Sequence, residues 1–385
     1  MRALSTSAAT INRIAALLLL AEMAQPALAA KRITVKQLDQ ALANANEKPD
    51  QVVARWLAGL ELIERMSTQD LLYWKEAMPG IASSRALTAL ADSSAFLNPP
   101  VEKMPKTVPP DHDAQQKLLA LASAYVDDTL SKLPNFFATQ GITTFEDTPS
   151  DREGQQVIAY QPLHYADFKT ANVLYRGGKE VMETRSGELT EKDETISPTS
   201  GLLSSGEFGP VLKTVLADAQ KGKLAWSHWE SGIDAPIAVF RYSVPRKNSQ
   251  YKVKVLLPGH SYPAQSRPAY HGEIAVDSLS GTILRITLLA DLIDDDPMSK
   301  ADLMVEYGPV EIGKRSYICP IRSTAIVIAY RESRTVGVDS RRFDEGRKGP
   351  QQTLLNDVTF GHYQVLRSEA RVLTGADTDD DGKQP

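Results

Sequence analysis

Cysteine is almost absent from this chain of 385 residues, with Cys319 the sole example. An intramolecular disulfide is therefore excluded, and the fold must rely on core packing. Cys319 sits in the apolar run Tyr317-Ile318-Cys319-Pro320, with nothing beside it to activate a thiol, so it reads as a small buried hydrophobe. The six histidines, His112, His164, His228, His260, His271 and His362, are scattered and form no H-x-x-x-H or H-E-x-x-H pair. No cysteine pairs with them, so no local metal motif exists and no cofactor is expected. The chain also lacks a G-x-S-x-G elbow, a Walker loop and a dinucleotide fingerprint. It lacks excess basic charge too: 43 Lys+Arg stand against 48 Asp+Glu, for a net charge of -5. A mildly acidic chain without a basic stripe does not wrap nucleic acid.

Long apolar runs are missing everywhere except at the start. Met1–Arg13 is polar and carries Arg2 and Arg13. Ile14–Ala21 is apolar, built on Leu17, Leu18, Leu19 and Leu20, and Glu22 closes it. Pro26 and the small-x-small triplet Ala27-Leu28-Ala29 follow. That is the order of a secretory signal peptide over residues 1–29, and the apolar core is too short for a transmembrane anchor. The expectation is a mature chain that starts near Ala30, in the periplasm or outside the cell, without a lipid-bearing N-terminal cysteine. Removing two arginines and one glutamate takes the net charge from -5 to -6.

Residues 30–98 show helical spacing. Thr34 and Gln37 form a capping box ahead of Val35, Leu38 and Leu42. Asp50 is placed to cap a second helix through Val52, Val53, Trp56, Leu57, Leu60 and Ile63. Ser67 opens a third that stops at Met78-Pro79-Gly80, and a fourth runs through Leu87 and Leu90. Trp56 and Trp74 fit the apolar stripes and are expected as core or helix-contact residues rather than ligand platforms. Five prolines between Pro99 and Pro110 make residues 99–112 a semi-rigid linker.

After a leading helix at about Asp113–Lys132, the period changes to two. Phe240, Tyr242 and Val244 alternate with polar residues, as do Tyr251, Val253 and Val255, and Pro245–Gln250 would join them as a hairpin. Ile274 and Val276 turn through Asp277–Gly281 into Leu284, Ile286 and Leu288. Gly209–Lys221 is one amphipathic helix inside this run. The expected class is α+β. A small helical bundle precedes a large curved antiparallel sheet over residues 113–373, open or a partial barrel, covered by the helix at 209–221. Glu188–Thr199 reads as a loop, and the acidic stretch 374–385 as a disordered tail.

Several segments resemble a group of uncharacterised secreted bacterial proteins: Leu133–Gln140, Thr144–Asp147, Ser205–Gly209, Tyr270–Ile286, Tyr307–Gly313 and Leu355–Phe360. The hairpin Ile274–Ile286, with its V-D-x-x-[ST]-G-x-x-x-R rhythm, also resembles the periplasmic lipoprotein-carrier (Lol-type) fold. That resemblance implies an unclosed antiparallel barrel with helices over an apolar concave face. The first-ranked expectation of function is an exported, non-enzymatic cell-envelope protein acting in partner interaction or assembly. A second reading is binding of a lipid, acyl chain or lipoprotein on the sheet, lined by Phe240, Tyr242, Val253, Val255, Ile274, Val276, Leu284 and Ile286. A third is a hydrolase using His260 and His271, which flank the loop Ser261–Ala269.

Overall fold

The computed structural model describes residues 30–153, 156–183, 189–191, 201–202, 210–256, 263–332 and 348–366. Residues 1–29, expected as a signal peptide, residues 374–385, expected as a disordered tail, His260 and most of Glu188–Thr199 lie outside these described residues.

The chain begins with β1 (Lys31–Ile33), α1 (Val35–Leu42), α2 (Asp50–Ala58) and β2 (Leu60–Leu62). β1 and β2 pair in parallel, which sequence periodicity missed. The helical spacing ran on through Leu60 and Ile63, but α2 stops at Gly59 because the chain there pairs with β1: Lys31 donates to Gly59 O and Ile63 to Ile33 O. The Thr34–Gln37 capping box closes in both directions at the start of α1. α3 (Thr68–Glu76) and α4 (Ile81–Ser93) complete the helical unit. Asp50 does not cap α2, whose cap position is Pro49. Its carboxylate instead accepts from the N–H groups of Ala82 and Ser83, capping α4 from a neighbouring helix. Gly80 permits that approach, since a Cβ there would stand 2.5 Å from Asp50 Oδ2. The unit has its own core, centred on Leu38, Leu42, Val53, Leu57, Leu71 and Leu87.

The long α5 (His112–Lys132) leads into β3 (Phe136–Thr148), the short pair β4 (Asp151–Glu153) and β5 (Gln156–Ile158), then β6 (Gln161–Arg176), β7 (Lys179–Glu183), β8 (Leu189–Glu191) and β9 (Gly201–Leu202). α6 (Pro210–Lys221) follows, then β10 (Lys223–Glu230), β11 (Ile237–Val244), β12 (Val253–Leu256) and β13 (Ala264–Ser266). The chain continues with β14 (Ala269–Asp277), β15 (Ile283–Asp291), β16 (Met298–Ile312), β17 (Arg315–Glu332) and β18 (Lys348–Val365). Nine of these strands form one antiparallel sheet in the order β10-β11-β14-β15-β16-β17-β18-β3-β6, and the short β7 and β8 extend it beyond β6.

The sheet is open and not strongly curled, so the expected partial barrel does not form. Helices on both faces remove the need for closure. On one face, α5, α6 and the small sheet β13-β12-β9 pack onto Phe240, Ile274, Ile286, Leu303 and Val327. The helical unit covers the other face, where Ala89 of α4 meets Phe145, Ile326 and Leu355. The β10 edge meets the proline-rich segment: Trp229 Nε1 donates to Val108 O and Ser231 N to Lys103 O.

Two strand expectations change. Val253 and Val255 belong to β12, which pairs with β13 and β9 rather than with β11. β11 instead lies between β10 and β14, because Phe240 and Tyr242 register against Ile274 and Gly272. A bulge opposite Ala275/Val276 pairs Val276 with Ile283, so Ile283 enters the core while Leu284 stays half-buried outside it.

Candidate functional site

Among the described residues, the seam between the helical unit and the sheet gathers a dense set of buried charged side chains. Strand alternation builds it. While Ile286, Val305 and Ala325 point into the apolar face, Arg285, Glu306 and Arg322 stand directly opposite one another on β15, β16 and β17. They make a plus-minus-plus ladder on the face that the helical unit covers.

Two clusters close over this ladder. At one end, Glu230 of β10 accepts from both terminal nitrogens of Arg285, at 2.8 and 3.1 Å. Arg65, in the segment that follows β2, donates to the same carboxylate at 2.8 Å, and His228 Nε2 lies 3.1 Å from it. Burial works against the Glu230 carboxylate, but the His228 hydrogen bond and the two guanidinium groups outweigh it. They hold the carboxyl far below its usual range. At the other end, Arg322 donates from Nε to Asp357 of β18 at 2.8 Å and from Nη1 to Thr68 of α3 at 3.0 Å. Its Nη2 donates to Asp92 of α4. The Thr68 hydroxyl passes its own hydrogen to Glu306 at 2.5 Å. Arg65, Asp92, Glu230, Arg285, Arg322 and Asp357 are each under 10% exposed, so these pairs are desolvated and rigid, unlike surface ion pairs.

Beside the first cluster lies an open cleft of about 340 Å³. Arg65, Asn98, Arg241, His271, Glu273 and Thr287 line it. Arg241 donates to Glu273 at 3.1 Å and to Asn98 at 3.3 Å. His271 Nδ1 lies 2.8 Å from Asp291 Oδ1. A carboxylate that fixes one ring nitrogen leaves the other to exchange protons, so this pair has the geometry of an acid/base group. The sequence singled out His271 but not Asp291, which is twenty residues away and meets it only because β14 and β15 pair.

Seven of the eight residues nominated for a lipid surface, Leu284 excepted, lie in the apolar core and are at most 2% exposed. They pack against one another, α5 and α6. Cys319 is also buried, beside Phe136, Val173 and Ile312, and burial pushes its thiol up to about 12. Among the described residues, no three His, Cys, Asp or Glu side chains converge to hold a metal ion, and no helix is long and apolar enough to cross a membrane. Comparison with family models, with curated proteins and with solved structures finds no match.

Proposed function

We propose that this is an exported, non-enzymatic cell-envelope protein that works by binding a protein partner through its helical unit. The observation that carries the reading is a run of large apolar side chains left in water on the helical unit. Val52, Trp56, Ile63, Leu72, Tyr73 and Ile81 are 38–70% exposed, and all fall within one short stretch of the helical unit. The unit does not need them for its own core. Trp56, expected as a core or helix-contact residue, is 38% exposed and lies outside the unit's core. Six such residues within thirty positions support an interaction surface there, although Val108, Ile233 and Leu279 show that single exposed apolar residues occur elsewhere too. Residues 30–98 carry eight Lys+Arg and eight Asp+Glu, so charge does not steer a membrane or nucleic acid to this unit. The matching partner is a protein surface with apolar anchors. The buried Arg65–Glu230 ion pair and the hydrogen bond from Arg322 to Asp92 fasten the unit to the sheet. Export is proposed on the signal-peptide order of charge, apolar run and small-residue site in residues 1–29.

A photo-crosslinking residue placed at Tyr73 in the full chain, in cells, tests this. The expected result is one discrete protein adduct, absent when the same residue replaces Leu279, which is 75% exposed in the β14–β15 turn. Adducts at Leu279 with none at Tyr73 would move the interface to the sheet and overturn the proposal.

A second reading, ester or amide hydrolysis, draws support from His271, which lines the cleft and lies 2.8 Å from Asp291. Under it, His271→Ala and Asp291→Asn each abolish turnover of a chromogenic ester. Turnover unchanged in both variants removes the reading.

A further inference from the structure

We infer that Asp92 holds a proton at the seam, and that its release loosens the helical unit from the sheet, making this contact a pH-sensitive latch. Around Arg322 stand three carboxylates: Asp92 from α4, Asp357 from β18 and Glu306 from β16. The hydroxyls of Thr68 on α3 and Thr324 on β17 complete the surroundings. On α4 itself, Arg85 is turned elsewhere, with its guanidinium 3.5 Å above the Tyr165 ring of β6. At the other end of the ladder, Arg65 and Arg285 share Glu230, with His228 bonded to the same carboxylate. Two guanidinium groups and an imidazole thus share one carboxylate at the Glu230 end, whereas at the other end a single guanidinium, Arg322, faces three carboxylates, so excess negative charge collects where Asp92 sits.

Asp92 is the acid that fits a proton there. It is 1% exposed, and only one of its oxygens is used: Oδ1 takes Arg322 and Thr324, while Oδ2 is buried with no hydrogen-bond partner among the described residues. A bare anionic oxygen in a dry site costs far more than a neutral carboxyl. Burial pushes the Asp92 carboxyl up to about 7, against the pull of Arg322 and with the push of Asp357. The other two acids differ. Asp357 takes Nε of Arg322 and belongs to the sheet, and Glu306 is half-buried with the Thr68 hydroxyl on it. Asp92 alone of the four carboxylates lies in the helical unit. Its ionisation therefore places an uncompensated charge on the docking contact itself.

The sign follows from linkage. The folded-state carboxyl titrates above its ordinary value of 3.8, so the docked form binds more protons than the open chain. Its contribution is complete below about pH 4 and is lost as pH rises to about 7, then stays level. Over that window the folding constant of the wild type, relative to Asp92→Asn, falls by about tenfold per pH unit.

Infrared spectroscopy of the intact protein tests the proton directly. The expected wild-type spectrum has a protonated-carboxyl carbonyl band near pH 6 that fades as pH passes about 7, and Asp92→Asn lacks it. Asp357→Asn, which removes the neighbouring negative charge, moves the loss of the band to lower pH. Hydrogen exchange across α4, corrected for intrinsic rate, rises on going from pH 6 to pH 8 in the wild type and stays level in Asp92→Asn. A wild-type spectrum without the band, or α4 exchange that changes equally in both proteins, overturns the latch. If Asp92→Asn does not fold, the band shift in Asp357→Asn decides: an unshifted or missing band sinks the idea.

Discussion

Glu230 is the residue on which most depends for its size. One carboxylate, 5% exposed, satisfies two guanidinium groups and an imidazole that come from three different parts of the chain. Glu230→Gln leaves Arg65 and Arg285 buried without their counter-charge. The expected loss is about 3–5 kcal/mol, read from the urea midpoint. Because its carboxyl is held below the ordinary 4.5, Glu230 contributes stability at neutral pH that drains away as pH falls below about that value. Glu230→Gln should therefore flatten the acid limb of the stability profile. A variant whose acid limb matches the wild type would show that other carboxylates govern it. None of these charges stood out in the sequence, where each is one polar residue in an alternating strand. Sequence spacing shows which face a residue takes, but not what covers that face.

At the scale of elements, local chemistry was legible and pairing was not. The capping box at Thr34, the helix at 210–221 and the β14–β15 hairpin all form from signals within a dozen residues. Gly281 marks the last of these: its φ of +75° suits a turn where a Cβ would be strained, and Asp277 accepts from Ser280 N at 2.8 Å to close it. β12 fails the local test because alternation says nothing about which strand is the neighbour. Its place is fixed by burial of Val253 and Val255 under the helical layer. α6 is held there by Asp218, fully buried, whose carboxylate accepts from Gln250 N, Gln250 Nε2 and Tyr270 Oη at 2.8–3.0 Å. Asp218→Ala orphans all three donors and should cost about 2–3 kcal/mol by chemical denaturation. An unchanged midpoint would mean that α6 is held by its apolar stripe alone.

Across the whole molecule, a sheet between two helical layers exposes little of either face, and the charged seam makes the layers interdependent. Undocking the helical unit would strand the buried arginines and acids of the sheet without partners. Unfolding should accordingly be a single transition. The tryptophans allow a check, since Trp56 and Trp74 report on the helical unit and Trp226 and Trp229 on β10. Variants keeping only one pair should give coincident fluorescence midpoints in urea. Two separated midpoints would show that the seam does not couple the layers.

By itself, the sequence determined the α+β class, the helical start and the antiparallel strands, because these follow from period, caps and turns that act within one segment. It also ruled out disulfide support, since Cys319 is alone. Only the tertiary structure decided that the sheet stays open, that Asp50 caps α4, that Asp291 holds His271, and that three arginines and four carboxylates meet at one seam. Those outcomes depend on which surfaces cover one another. That is set by the summed burial of distant residues, which no local pattern records.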